Sequence, residues 1–274
     1  MQVAQRGTSF DASEQYLVDR FEFLRQTDGY DLTWAQSSTA PDGFSNSLKM
    51  ACTTADASLN ANVYALLRQD IEAQNLQMLQ YGTASAKDIT LSFWVRSSKT
   101  GTYIVELQQA DAGNVFNSQT YTVNSANTWE YKTLTFSGYQ TTAINNDTGS
   151  GLILEWWLAA GSDYSGGTLS PNTWQSTHAN RAVGQVNLFD STSNDWYITG
   201  VQLEVGDTAT PFEHTSYGDQ LQKCMRYYQR VESSSGLSVS ANYAQFNVPF
   251  PVEMRAIPSA SISDASGVAC ARIT

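Results

Sequence analysis

The chain has 274 residues, with 15 Lys and Arg against 26 Asp and Glu, a formal net charge of −11, and only 15% charged residues. Ordinary domains carry roughly 25%; here Ser, Thr, Asn, Gln, Gly, Trp and Tyr take the place of the missing charge, the composition of an exported or particle-bound β protein. The acidic balance and the lack of a basic cluster exclude a grip on nucleic-acid phosphates, and no run approaches the roughly 18 apolar residues of a membrane span.

The opening MQVAQRGTSFDASEQY has no apolar stretch of a secretory signal. Three widely spaced cysteines, Cys52, Cys224 and Cys270, give neither metal spacing nor a disulfide framework, and read as free buried thiols. With only His178 and His214 in the chain, most metal and triad chemistry lacks parts.

Strand patterns run one after another from the start. YLVDRFEFLRQ (16–26), YDLTWAQ (30–36), NSLKMACTT (46–54) and NVYALLRQDIE (62–72) alternate apolar and polar residues. In the first, Asp19 and Arg20 sit inside the alternation. A short helix is expected over Ile71–Leu79. DITLSFWVRSS (88–98) then puts Ile89, Leu91, Phe93 and Val95 on one face, with Ser92, Trp94 and Arg96 on the other. GTYIVELQQAD, SQTYTVN, NTWEYKTLTFSG, GLILEWWLAAGSD and NDWYITGVQLEVGD continue the series, each bounded by Asn, Asp, Gly or Ser. Ten or so short strands without alternating helices imply an all-β, antiparallel sandwich rather than a parallel α/β sheet.

Between two of these strands lies a long connection, Ser162 to Asn187, containing Trp174, His178 and Arg181. Connections of this length are functional or disordered as a rule. Trp174 either contacts a receptor or tucks beneath the loop as a plug. A second helix is expected over Tyr217–Arg230, with Tyr217, Leu221, Cys224, Met225 and Tyr228 along one stripe. Ser233–Gly236 reads as a linker. The strand-like stretches after it are too short to close an all-β domain, so they are completed by neighbouring copies or the chain is truncated.

Three groups of residues carry a resemblance. VQLEVGDTATPFEH (201–214) resembles a frequent signature of bacteriophage tail-fibre and virion-appendage proteins, in which such a strand closes a carbohydrate-binding-module-like jelly roll. The Tyr217-Gly218-Asp219 helix running into Cys224-Met225-Arg226-Tyr227-Tyr228, and Phe250–Pro258 (FPVEMRAIP), resemble the segments C-terminal to that strand in the same family. VAQRGTSF (3–10) with Val18-Asp19-Arg20-Phe21 resembles the family's W-Q-R-G-T-S-F and A-D-R-W entry, with Ala4 and Phe21 in place of tryptophans. The resemblance spans nearly the whole chain. It implies a jelly roll with an N-terminal arm over 1–215, a linking helix over 216–231, and the start of a second β domain over 232–274. It also implies a virion tail or fibre subunit assembled in the host cytoplasm, in a family with both adhesive and purely structural members.

Sugars are held by aromatic platforms flanked by amides and carboxylates. If Leu152, Leu154, Trp156 and Leu158 face the core, Glu155 and Trp157 face outward. Trp94, Arg96, Arg68, Asp70, Glu106 and Gln108 join them by the same alternation. The candidate ligand-binding residues are therefore Trp94, Arg96, Glu155, Trp157 and Trp174. A partner subunit or a loop covering this face, or charges pairing across strands, accounts for the same pattern.

Asp19 and Glu204 are candidate calcium ligands, of the kind jelly-roll sugar modules carry. An ion pair or a turn cap is the alternative, since calcium takes six to eight oxygens. No other cofactor is expected. Glycoside hydrolysis needs two facing carboxylates, for which Glu106 and Glu155 are available, but no G-x-S-x-G elbow is present and no enzyme is expected. The expected function is a structural subunit of a phage tail fibre or virion appendage that attaches to host-surface glycans. A ligand-free capsid fibre, decoration or connector protein and a polysaccharide depolymerase are the alternatives. A homotrimer contacting other virion proteins is the expected assembly.

Overall fold

The computed structural model describes residues 1–11, 15–16, 18–27, 29–230, 236–240, 243–246, 249–263 and 269–273. The chain divides into two compact units, Met1–Tyr217 and Gly218–Thr274.

In the first unit the strands run β1 (Ser9–Phe10), β2 (Gln15–Tyr16), β3 (Glu22–Gln26), β4 (Asp31–Ser37), β5 (Ser47–Thr54), β6 (Tyr64–Glu72), β7 (Ile89–Ser97), β8 (Gly101–Gln109), β9 (Val115–Val123), β10 (Glu130–Phe136), β11 (Ser150–Ala160), β12 (Trp174–Gln175) and β13 (Asp195–Val205). Six form one sheet in the order β1-β4-β5-β13-β7-β10, and seven form the other in the order β12-β9-β8-β11-β6-β3-β2. The neighbours pair antiparallel, giving a jelly-roll sandwich.

Alternation decides which side chains fill the space between the sheets. Ile89, Leu91, Phe93 and Val95 all point inward from β7 and are buried. Tyr103, Val105 and Leu107 of β8 and Leu154, Trp156 and Leu158 of β11 share one core cluster with Leu91, Phe93 and Val95, while Ile89 and Leu152 belong to a second. Two contacts span the sheets directly. Phe93 meets Trp156 edge-on at 5.8 Å, and Phe23 packs against Trp34 at 6.0 Å. Each such ring, fully buried, contributes about 1.5–3 kcal/mol by removal from water.

Two elements differ from the expected pattern. Tyr16 to Gln26 is not one strand but a hairpin, with Tyr16 opposite Glu22. The backbone turns at Val18–Phe21, where Phe21 N–H donates to Val18 O at 2.9 Å and Arg20 takes φ 76°. Leu17, part of the expected alternation, lies outside the described residues. The helix expected over Ile71–Leu79 starts later, as a 3₁₀ segment Ala73–Leu79, because β6 continues through Glu72 to pair with Ser150. Cys52 is a free, buried thiol.

The helix expected over Tyr217–Arg230 runs only over Tyr217–Met225, where Cys224, also a free thiol, is buried; beyond it Tyr227 and Tyr228 N–H both turn back to Cys224 O, at 2.9 and 3.1 Å. Gln229 Nε2 donates to Val252 O at 2.7 Å and Arg255 N–H to Arg226 O at 2.9 Å. Two hairpins come next, Gly236–Ser240 with Tyr243–Phe246 and Ala260–Ser263 with Ala269–Ile273. The expected linker Ser233–Gly236 falls outside the described residues except for Gly236, as does the Cys270 side chain. No helix of the described residues is long and apolar enough to cross a membrane.

Candidate functional site

The sandwich has two outward faces, and they divide the residues expected to share one. Trp94 and Arg96 stand on β7 of the six-stranded sheet, whereas Glu155 and Trp157 stand on β11 of the seven-stranded sheet. Alternation assigned each to an outward side but carried no information on which sheet each strand joins.

On the seven-stranded sheet, register aligns a polar row across six strands. Tyr16 pairs with Glu22, Glu22 with Arg68, Arg68 with Glu155, Glu155 with Glu106, and Glu106 with Ser118. The middle of this row is covered. Residues 161–187 cross it, beginning with a short helical turn, Ser162–Ser165. Tyr164 lies 5.4 Å from Trp157, and Ala182 packs with Leu66, Ile104 and Trp157. β11 pairs with β8 only as far as Trp156 opposite Val105. Past that point the crossing segment takes over: Ile104 N–H donates to Gln185 Oε1 at 2.7 Å and Val186 N–H to Thr102 O at 3.0 Å. The segment closes on itself where Gly167 passes Asn180; a Cβ there would stand 2.0 Å from Asn180 Oδ1.

Arg181 hangs from this segment into the row. Its Nε and Nη2 donate to Glu106 Oε1 at 2.9 and 2.6 Å, and Nη2 also to Glu155 Oε2 at 2.7 Å. Ser118 Oγ donates to Glu106 Oε2 at 2.5 Å. The guanidinium lies 3.9 Å from the Phe116 ring centroid and 5.0 Å from that of Trp157. Glu106 is 0% exposed, Glu155 3% and Arg181 9%. Burial pushes the Glu155 carboxyl up, to about 7; Arg181 opposes this, and the Glu106 charge reinforces it. At the open end of the row, burial and the neighbouring Glu22 push the Tyr16 phenol up to about 12. Arg68 is held to Asp70 at 2.9 Å.

Trp157 is therefore fully buried, and Glu155 is engaged in an ion cluster. The close carboxylate pair has no room for a sugar between its members. Trp174 is the plug rather than the exposed contact: its Nε1 donates to Ser137 O at 2.7 Å, and its ring packs on Tyr139 and Tyr81. His178 packs edge-on against Phe116.

The six-stranded sheet is different. Register sets two adjacent rows on its outer face. One is Lys49, Tyr197 and Arg96, direct cross-strand neighbours on β5, β13 and β7. The next is Thr199, Trp94 and Tyr131 on β13, β7 and β10. Trp94 and Tyr131 pack at 5.4 Å, and Tyr131 is 43% exposed. Trp129 meets Tyr197 at 6.2 Å. The Arg96 guanidinium lies 4.8 Å above the Tyr197 ring, held by Asn127 through Nε to O at 3.1 Å and Nη2 to Oδ1 at 3.0 Å.

The aromatic surface continues through a bulge in β13 between Thr199 and Gln202. Gly200 takes φ +60° there, and a Cβ would stand 2.7 Å from Phe44 and 3.1 Å from Trp94. Phe44 in turn touches Phe212 and His214 of the exit segment at 5.0 and 5.3 Å. Sequence alternation puts Trp94 and Arg96 on an outward side, as the register does. It did not single out their neighbours Lys49, Trp129, Tyr131, Tyr197 and Phe44, although Tyr131 and Tyr197 lie in strands whose polarity pattern is visible in the sequence.

Asp19 and Glu204 lie in separate networks. Asp19 accepts from Gln5 Nε2 at 2.5 Å and faces Arg6 at 3.7 Å, while Glu204 accepts from Thr210 N–H and Oγ1 at 3.1 and 2.5 Å. Among the described residues no group of three or more His, Cys, Asp or Glu side chains stands together as a metal site.

No family model and no curated protein matches the chain. Several solved structures are similar to it at low identity. The family 11 carbohydrate-binding module from Clostridium thermocellum, in complex with a β-1,3-1,4-mixed-linked tetrasaccharide, shares 9% identity over 74% of this chain and 98% of that one, with TM-score 0.37. A xylan-binding domain of carbohydrate-binding module family 22 shares 12% identity over 75% and 99%, with TM-score 0.36. The enzymatically active domain of bacteriophage CBA120 tailspike protein 4 shares 14% identity over 68% of this chain, with TM-score 0.35; the chain spans 19% of that tailspike chain.

Proposed function

We propose that the chain is a non-catalytic glycan-binding subunit of a phage tail fibre or other virion appendage, and that it binds through the outer face of the six-stranded sheet. The observation that carries the binding reading is the half-buried Trp94 packed on the exposed Tyr131, beside the row of Arg96, the buried Tyr197 and Lys49. Aromatic faces take up the C–H side of a sugar ring, and neighbouring polar groups read its hydroxyls. Here the rings are fixed by the sheet, so little ordering accompanies binding.

The absence of catalysis rests on Glu106 and Glu155, a carboxylate pair that register makes direct neighbours on the seven-stranded sheet, which Arg181 and the covering segment engage. The virion role rests on VQLEVGDTATPFEH and the motifs around it. Trimeric assembly would multiply a weak single-site affinity into firm attachment.

The test is a glycan array probed with the full chain, with subsequent titration of the bound oligosaccharide. Trp94→Ala and Tyr131→Ala each lower affinity about tenfold, while Trp174→Ala leaves it unchanged in chains that remain folded. Equal affinity in all of these variants removes the six-stranded face from the account. A separate light-scattering mass equal to three chains supports the trimer, and the mass of one chain contradicts it.

A further inference from the structure

We infer that the aromatic face takes an acidic glycan, one whose sugar carries a carboxylate, and that Arg96 is the group that reads it. This rests on the glycan-binding reading of the same face and names its ligand class. In an acidic chain, the ordinary fate of a cation is a carboxylate partner. Arg6, Arg25, Arg68, Lys99, Lys132 and Arg181 each have one within 4 Å. Arg96 has none among the described residues. Both of its hydrogen bonds go to neutral oxygens of Asn127, and its Nη1, shielded from solvent, has no hydrogen-bond partner.

Its charge is thus held in a fixed orientation, stacked on Tyr197, and left uncompensated. Neutral clamping of this kind orients a guanidinium without neutralising it, so its charge still attracts a carboxylate set beside it. Lys49 approaches the same Tyr197 ring at 5.4 Å from the neighbouring strand. It is partly compensated by Asp195 at 3.8 Å, whose Oδ2 also accepts from Tyr197 OH at 3.0 Å. The row therefore holds two cations against one anion.

The Trp94–Tyr131 pair lies one row along, two residues or about 7 Å down the strands. A sugar ring resting on those aromatics brings the carboxylate of the same or the next residue to Arg96. A neutral glycan would leave the guanidinium charge as it is and gain nothing from it.

The experiment uses the full chain on an array of uronic-acid oligosaccharides, each printed beside its carboxyl-reduced counterpart, with titration of the pair that binds. The expected result is a preference of about tenfold for the carboxylated member. Arg96→Gln abolishes that preference, lowering affinity for the carboxylated member about tenfold more than for its reduced counterpart. Raising salt from about 50 to about 500 mM weakens only the carboxylated member. Equal binding of both members, or an equal loss for both in Arg96→Gln, overturns the acidic-ligand inference and leaves the glycan reading standing. No binding to any spot by a chain with intact cooperative unfolding overturns both.

Discussion

The two outward faces of the sandwich use the same residue types to opposite ends. On the seven-stranded side Trp157 and an arginine lie under a crossing segment, and Arg181 is matched by two carboxylates. On the six-stranded side Trp94 and an arginine are half-buried, and Arg96 is matched by a neutral amide. The first arrangement fixes a long connection to the sheet. The second leaves an aromatic surface and a charge partly exposed. What differs is what lies over the residues, not the residues themselves, so a tryptophan and an arginine on alternating strand positions do not by themselves mark a binding site.

The largest expected effect separates these roles. Arg181→Met leaves Glu106 and Glu155 buried without their cation, and urea unfolding is expected to show a loss of about 3–5 kcal/mol. Trp157→Ala empties a fully buried site and costs a comparable 3–5 kcal/mol or so, whereas Trp94→Ala, on the open face, costs about 1 kcal/mol or less. Their effects on glycan affinity run the other way, which a titration of each folded variant will show. A Trp94→Ala chain as unstable as Trp157→Ala would erase the distinction.

A pH dependence sharpens it further. The folded Glu155 carboxyl is raised to about 7 from an ordinary 4.5, so between those values the folded chain holds a proton that the unfolded chain has released. Stability from this group is full below about pH 4.5 and is lost as pH rises through about 7, by a few kcal/mol in order of magnitude. Glu155→Gln is expected to flatten that slope in urea midpoints measured from pH 5 to pH 8, with Glu106, Arg181 and Arg68 left in place. An unchanged slope contradicts the buried carboxylate account. The smallest effect is expected from Asn127→Ala, which frees the Arg96 guanidinium: stability stays within about 0.5 kcal/mol, while affinity for a carboxylated glycan falls a few-fold in the same titration.

Much of the sandwich is legible in the sequence, because period-two alternation is a direct consequence of packing one face of each strand. Ile89, Leu91, Phe93 and Val95 point inward as their spacing requires, and so do Leu154, Trp156 and Leu158. Alternation stops at the single strand, however. It does not say that β7 and β11 belong to different sheets, so it puts Trp94 and Trp157 together when they are on opposite sides. Nor does it reveal that Arg181, 26 residues beyond Glu155, returns to clamp it. That signal lies in the rule that buried carboxylates need partners, and it requires knowing that Glu155 is buried. Arg20 shows the local limit: Tyr16–Gln26 alternates well, yet a left-handed residue in its middle makes it a hairpin.

The most direct test of the division between the faces is amide hydrogen exchange of the full chain, with and without the oligosaccharide selected on the array. The account predicts new protection in 92–97, 129–133 and 195–199, with 104–108, 153–157 and 178–186 unchanged. Protection appearing in 178–186 and 153–157 instead, with the six-stranded face unaltered, would contradict it.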